Sequence, residues 1–271
     1  MMYHSSRTVW SPAVAVLLGV ALLFAGRSAA QSPLFESGPI AEDQVPQAIR
    51  QAVASPGRPA EDKALDAGRK PDQVMAFFGI KPGMKVADLF AGTGYTTELL
   101  SRIVGPTGKV YSQNPNFEPR LKRLEEAWRA RLKKPELSNV VPVSADFNSD
   151  NLLPVPFGSL DAVVINLNYH DLVWRGVDRD KLNAAIFRYL KPGGIYGIVD
   201  SSAQPGSGTR DVKTLHRIDE QVVIRDVERA GFKLAAASSV LRNPADDRTW
   251  LVFEHRGTQD RFVLKFIKPK T

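Results

Sequence analysis

The sequence predicts an α/β protein built on a seven-stranded, mostly parallel, doubly wound sheet, with one antiparallel strand near the C-terminus. Three observations carry that prediction. From residue 66 onward, apolar β-rich runs alternate with helical stretches, the pattern of a parallel sheet covered by helices on both faces. The last two strand candidates, 233–240 and 261–267, have no helix between them, so one of the two runs antiparallel. An early strand, 85–90, passes straight into a glycine-rich turn that opens a helix, the junction at which open α/β sheets bind ligands.

The elements follow in chain order. Residues 1–30 read as a cleaved secretory signal: Arg7 without an acid, an apolar run over 13–25 broken only by Gly19, then Ser28-Ala29-Ala30 at the cleavage position. The apolar run is shorter than the roughly 20 residues a spanning helix needs. The mature chain is therefore expected to begin near Gln31 and to reside in a bacterial periplasm. Residues 31–65, rich in Pro, Ser, Gly and Ala up to about residue 60, read as an N-terminal segment that is either a tether or an arm lying on the domain, with an amphipathic stretch at 44–53. Residues 66–271 are the main domain. Pro71 opens a helix over 71–78, and Gly79 ends it. Strands are expected at 85–90, 109–113, 140–143, 162–167, 195–199, 233–240 and 261–267, and helices at 95–104, 118–133, 179–190 and 219–230. Residues 249–254 fit either a strand or a loop.

Composition narrows the function. With 43% apolar and 24% charged residues the 271-residue chain has ordinary globular usage rather than that of a disordered segment. It contains no cysteine, which excludes disulfides, thiolate metal sites, a cysteine nucleophile and lipids attached through sulfur. The formal charge of +7 is spread too evenly to imply nucleic acid. Its densest part, the helix from Arg120 to Lys134, reads as a solvated face, with contact to an anionic membrane surface as the weaker reading. The expected partner is a small-molecule substrate.

The most informative stretch is Asp88-Leu89-Phe90-Ala91-Gly92-Thr93-Gly94-Tyr95. The dinucleotide fingerprint needs a third glycine where Thr97 stands, and no P-loop lysine follows. A carboxylate inside the strand, four residues before Gly92, suits a cationic amine presented over the glycines. Further along come Asp146-Phe147, Asn166-Leu167-Asn168 and Leu190-Lys191-Pro192-Gly193-Gly194, each at an expected strand end or turn.

In this ordered set the chain resembles class I S-adenosylmethionine-dependent methyltransferases over about 71–268. Its closest likeness is to a group of predicted exported bacterial members of unknown substrate, through Asn168-Tyr169-His170-Asp171, Leu215-His216-Arg217-Ile218-Asp219 and the closing strand. The resemblance implies S-adenosyl-L-methionine as cofactor. It has Gly92 and Gly94 approach the cofactor and Asp88 hold its methionine end, with Asn114 at the ribose, Asp146 and Phe147 at the adenine, and Tyr95 and Asn166 as further cofactor-binding candidates. Two positions depart from the family pattern: Phe90 stands where many members have another glycine, and Asn114 where an acid usually accepts from the ribose.

Methyl transfer is an in-line displacement on a sulfonium, so the protein must align the acceptor and remove its proton. His170, directly after the fourth strand, is the expected base, with Asp171 beside it to orient or tune it and His216 as a further candidate. His255 falls in a polar loop. The histidines are scattered in sequence without acids at ligand spacing, so no metal is expected. The D/N-P-P-Y pattern of amino-group methylases and the G-x-S-x-G esterase elbow are both absent. The expected activity is methyl transfer to an oxygen or nitrogen of a small molecule. The alternative is an exported protein that binds a small metabolite in the same cleft without transferring a methyl group.

Overall fold

In the computed structural model, residues 1–2 and 36–270 are described; the expected signal segment and cleavage site lie outside them. Among the described residues no helix is long and apolar enough to cross a membrane.

The seven expected strands all form. They are β2 (Lys85–Leu89), β3 (Lys109–Asn114), β4 (Val140–Ser144), β5 (Leu160–Asn166), β6 (Leu190–Ser201), β7 (Lys233–Ser238) and β8 (Arg261–Ile267). A two-residue strand, β1 (Glu36–Ser37), adds to the edge, giving the order β1-β7-β8-β6-β5-β2-β3-β4. The neighbours among β2 to β6 pair in parallel, while β8 runs antiparallel to both β6 and β7. The antiparallel strand is therefore the last one. β8 follows β7 without a helix, through turns in which residues 249–254 have no strand partner.

The helices are α1 (Gln47–Ala54), α2 (Ala60–Arg69), α3 (Pro71–Phe78), α4 (Tyr95–Val104), α5 (Lys122–Arg131), α6 (Tyr169–Trp174), α7 (Arg179–Tyr189) and α8 (Glu220–Arg229). Strand alternation divides the sheet residues between two cores. Ala87, Leu89, Val163, Ile165 and Ile198 pack with α6, α7 and α8. Val86, Val110, Ala162, Val164 and Val263 pack with α1, α3 and α4 on the other face. The arm joins this second core through Val45, Ile49 and Ala52, all buried.

Asp88 has the parity of Val86 and so points beneath α4. A carboxylate thus occupies a position where the pattern would otherwise place a valine or isoleucine.

The basic helix does not present all its cations to water. Arg131 turns inward and bridges Asp62 of α2 (2.5 Å) and Glu98 of α4 (2.7 Å), and Lys134 also reaches Glu98. Arg120, Lys122 and Arg129 remain exposed, each beside a glutamate on the same segment.

Candidate active site

The carboxyl ends of β2, β3, β5 and β6 meet at one rim, and a cavity of about 650 Å³ opens there. Its floor is Asp88, Phe90 to Gly92, Tyr95 and Thr96. One wall carries Asn166 to Asn168, His170, Asp171 and His216. The other is formed by α2 and the turns before β8, with Arg69, Arg256 and Arg261.

The glycine turn is held by side-chain amides. The Phe90 N–H donates to Gln113 Oε1 at 3.1 Å, and its carbonyl accepts from Asn168 Nδ2 at 2.9 Å. The Gly92 N–H donates to Asn114 Oδ1 at 2.9 Å, and its carbonyl accepts from Asn114 Nδ2 at 3.1 Å. Both ends of the Asn114 amide therefore grip the turn, and the side chain is buried outside the cavity lining. Asp146 and Phe147 also lie outside that lining. Phe147 is buried against the Phe90 ring, with centroids 5.1 Å apart. Asn166 lines the cavity and donates to Thr96 Oγ1 at 2.9 Å.

Phe90 has φ +58°, a left-handed conformation that costs a bulky L-residue roughly 1–2 kcal/mol. That explains the glycine at this place in the family pattern. Gly94, at φ +87°, opens α4; a Cβ there would come within 2.9 Å of Arg131 Cδ, so Arg131 covers the turn from behind. Leu167 (φ +65°) and His216 (φ +54°) are also left-handed and also line the cavity. Three left-handed non-glycine residues thus line one cavity, and such backbone persists only where its surroundings over-determine it.

Beneath the turn, a directed chain of hydrogen bonds reaches Asp88. Trp128 Nε1 can only donate, and it does so to Ser112 Oγ at 3.2 Å. Ser112 then donates to Thr97 Oγ1 at 2.9 Å, and Thr97 to Asp88 Oδ2 at 2.6 Å. Burial raises the Asp88 carboxyl to about 7, against the opposing pull of the Thr97 hydrogen bonds. Among the described residues no cation stands beside Asp88, and a cation placed there would favour its ionised form.

At the other end of the cavity, β6 delivers Asp200. This fully buried carboxylate accepts from the backbone N–H of His170 (2.7 Å), from His170 Nδ1 (2.8 Å) and from the Ser201 N–H (2.8 Å). Asp200 thereby assigns the His170 proton to Nδ1 and leaves Nε2 bare. Burial depresses the His170 pKa, but the charge and hydrogen bond of Asp200, with Asp171 behind it, raise it overall. His170 Nε2 lies 3.2 Å from His216 Nδ1 and 3.6 Å from Asp171 Oδ1. The two histidines, 46 positions apart in the chain, thus meet in space, although their spacing in sequence shows no such pairing. Burial, then His170, lower the His216 pKa.

His216 is held by its neighbour. Arg217 is completely buried and binds Asp246 through both terminal nitrogens (2.8 and 3.3 Å), the Ser202 carbonyl and the Trp250 carbonyl. This ion pair ties the loop bearing His216 to the turns before β8. The sequence offered no signal for it beyond Arg217 following a candidate histidine.

The arginine wall was also invisible in the sequence. Among the described residues none of Arg69, Arg256 and Arg261 forms a salt bridge. Burial, then neighbouring Arg69, lower Arg261 to about 10, and among the described residues its Nε has no hydrogen-bond partner. Arg261 also donates to the Gly68 carbonyl, where α2 meets the Gly257 turn so closely that a Cβ on Gly68 would fall 2.8 Å from Gly257 Cα.

The strand order, the single antiparallel strand and a ligand cavity over the glycine turn define a Rossmann-like fold of the methyltransferase type. Residues 66–161 match the family of protein-L-isoaspartate(D-aspartate) O-methyltransferases. The ubiquinone/menaquinone biosynthesis C-methyltransferase of Escherichia coli O1:K1 / APEC is 30% identical over 190 residues, 69% of this chain and 65% of that protein. The same enzyme of Pasteurella multocida is 30% identical over 175 residues, 62% of this chain and 60% of that one. The chain thus spans a little under two thirds of the length of these curated relatives. A SAM-dependent methyltransferase from Aquifex aeolicus superposes with a TM-score of 0.56 at 22% identity, covering 78% of this chain and 98% of its own. Geranyl diphosphate C-methyltransferase from Streptomyces coelicolor does so with a TM-score of 0.55 at 15% identity, over 81% and 89%. The fold is that of the class I S-adenosylmethionine-dependent methyltransferases, and in sequence the chain is similar to members of that superfamily.

Proposed function

We propose that the protein transfers a methyl group from S-adenosylmethionine to an oxygen or nitrogen of a small anionic molecule. The observation that carries this reading is a single cavity with the buried Asp88 and the clamped glycine turn at one end and the His170–Asp171–His216 cluster at the other. Asp88 receives the cofactor's ammonium group, and the open face of Gly92, where no atom lies within 4 Å of a built Cβ, lets the cofactor approach the backbone. The acceptor sits against His170 and His216, with its anionic group toward Arg69, Arg256 and Arg261. Methyl transfer forms the bond from acceptor to carbon and breaks the bond from carbon to sulfur. The acceptor's proton leaves to the histidine cluster, and neutral S-adenosylhomocysteine departs.

Residues 1–30 as a signal and residues 31–65 as an arm complete the reading, with the mature protein in the periplasm; N-terminal sequencing of the protein in fractionated cells tests this. For the activity, calorimetry with S-adenosylmethionine and S-adenosylhomocysteine is the first measurement, and both should bind. The second is incubation with labelled cofactor and pools of carboxylated or phosphorylated metabolites, read by mass spectrometry. Label should appear in an anionic product. Absence of heat with either nucleoside would leave only a binding role for the cavity.

A further inference from the structure

The geometry points to a metal site at His170, Asp171 and His216, holding a divalent first-row transition ion of the zinc type with its remaining positions open to the cavity. The three ligand atoms are His170 Nε2, His216 Nδ1 and Asp171 Oδ1, separated by 3.2, 3.6 and 4.0 Å. A triangle with those sides has a circumscribed radius of about 2.1 Å, so one point lies about 2.1 Å from all three. That is the bond length of zinc to an imidazole nitrogen or a carboxylate oxygen.

The surroundings are those of a metal centre. Asp200 binds the Nδ1–H of His170, fixing its ring and leaving Nε2 as a lone-pair donor; such carboxylate–histidine pairs orient imidazoles on metals. His216 is aimed at the same point by a strained backbone at φ +54°, and its ring is packed by Trp174 and Phe253 at centroid distances of 4.6 and 4.8 Å. His170 Nε2 and His216 Nδ1 stand 3.2 Å apart, a separation that needs a proton or a metal between them. Asp171, the third atom on that point, adds the charge that favours a dication. Two imidazoles and one carboxylate select zinc-like ions over magnesium or calcium, which prefer oxygen ligands. Three protein ligands and an open position are the arrangement of catalytic rather than structural sites.

The consequence for chemistry rests on the methyl-transfer reading. His170, His216 and Asp171 would hold the ion, which would supply a Lewis acid able to bind an acceptor oxygen and lower the pKa of a hydroxyl; the imidazoles serve as the proton acceptor only in the metal-free site. Metal binding itself does not depend on that reading.

The test uses the full-length protein, stripped with a chelator and then titrated with zinc alone against a chromophoric competitor. One equivalent should bind. His216→Ala and Asp171→Asn should each abolish stoichiometric binding, and Asp200→Asn should weaken it about 10–100-fold, the usual effect of losing a ligand's supporting carboxylate. Cobalt substitution should give visible d–d bands in the parent that are lost in His216→Ala, with folding checked by circular dichroism. His255→Ala should change nothing. Failure of the parent to hold an equivalent of zinc, or unchanged binding in both ligand variants, overturns the site. Calorimetry with S-adenosylhomocysteine on the stripped protein separates the two ideas. Nucleoside binding without zinc binding sinks the metal alone, and zinc binding without nucleoside binding sinks the methyl-transfer reading alone.

Discussion

Asp88 is the residue at which stability and ligand binding oppose each other. Its folded pKa of about 7 lies above the unfolded carboxylate value of roughly 3.9. The folded state therefore binds the extra proton between those values, and the stability this contributes, complete below pH 4, is lost as pH rises through 7. Asp88→Asn should accordingly gain on the parent in unliganded melting temperature between pH 5 and pH 8. Binding of a cationic cofactor drives Asp88 to ionise, so binding at pH 6 should release close to one proton, with calorimetric heats that differ between phosphate and imidazole buffers. A binding heat insensitive to buffer at pH 6 would show that Asp88 does not meet the ammonium group. Phe90 gives a second test at the same scale. Removing its ring costs packing against Phe147 in either Phe90→Ala or Phe90→Gly, but only glycine relieves the φ of +58°. In denaturant melts the glycine variant should be the more stable of the two by about 1 kcal/mol, the reverse of the usual order.

Among the elements, the two segments that roof the cavity are loops, and a buried ion pair holds them. Arg217 and Asp246 are both fully buried, and their pairing joins the loop after β6 to the turns before β8. Removing one partner leaves an uncompensated charge in the interior, so Arg217→Met should destabilise by about 3–5 kcal/mol in urea unfolding. Hydrogen exchange should speed up in residues 203–218 and 241–260 before it does so in the sheet. An unchanged midpoint would mean that Asp246 finds another partner. The wall formed by α2 depends on Arg131 binding Asp62 and Glu98 together, which links the arm to α4 and α5.

At the scale of the molecule, the described part of the arm, residues 36–65, packs into the folded body. Ile49 on α1 is fully buried in the core beneath α3 and α4, and Ile49→Ala should cost about 2–5 kcal/mol by chemical denaturation. A loss below 1 kcal/mol would make α1 an ornament that detaches from the domain. β1 continues the same role at the sheet edge, where it pairs with β7 at Ala237 and Ser238 and covers backbone groups that would otherwise be open to another strand.

The fold was largely legible in the sequence because it rests on local periodicity. Alternating runs placed all seven main strands, and α3 and α4 start and stop where Pro71, Gly79 and the glycine turn predict. Asp88 and the two glycines were visible for the same reason, since strand, turn and helix are contiguous there. What tertiary structure alone decided are the contacts between distant segments. Asn114 has the sequence position of a ribose ligand, yet both ends of its amide grip Gly92, because β3 lies beside β2 with Asn114 level with the turn. His170 and His216 look unrelated along the chain but share one point, because Asp200 positions one ring and Arg217 the loop of the other. Sequence patterning reports which face of an element is buried; it is silent on which loops meet above the sheet, because that depends on long-range packing and on buried charge pairs without a period.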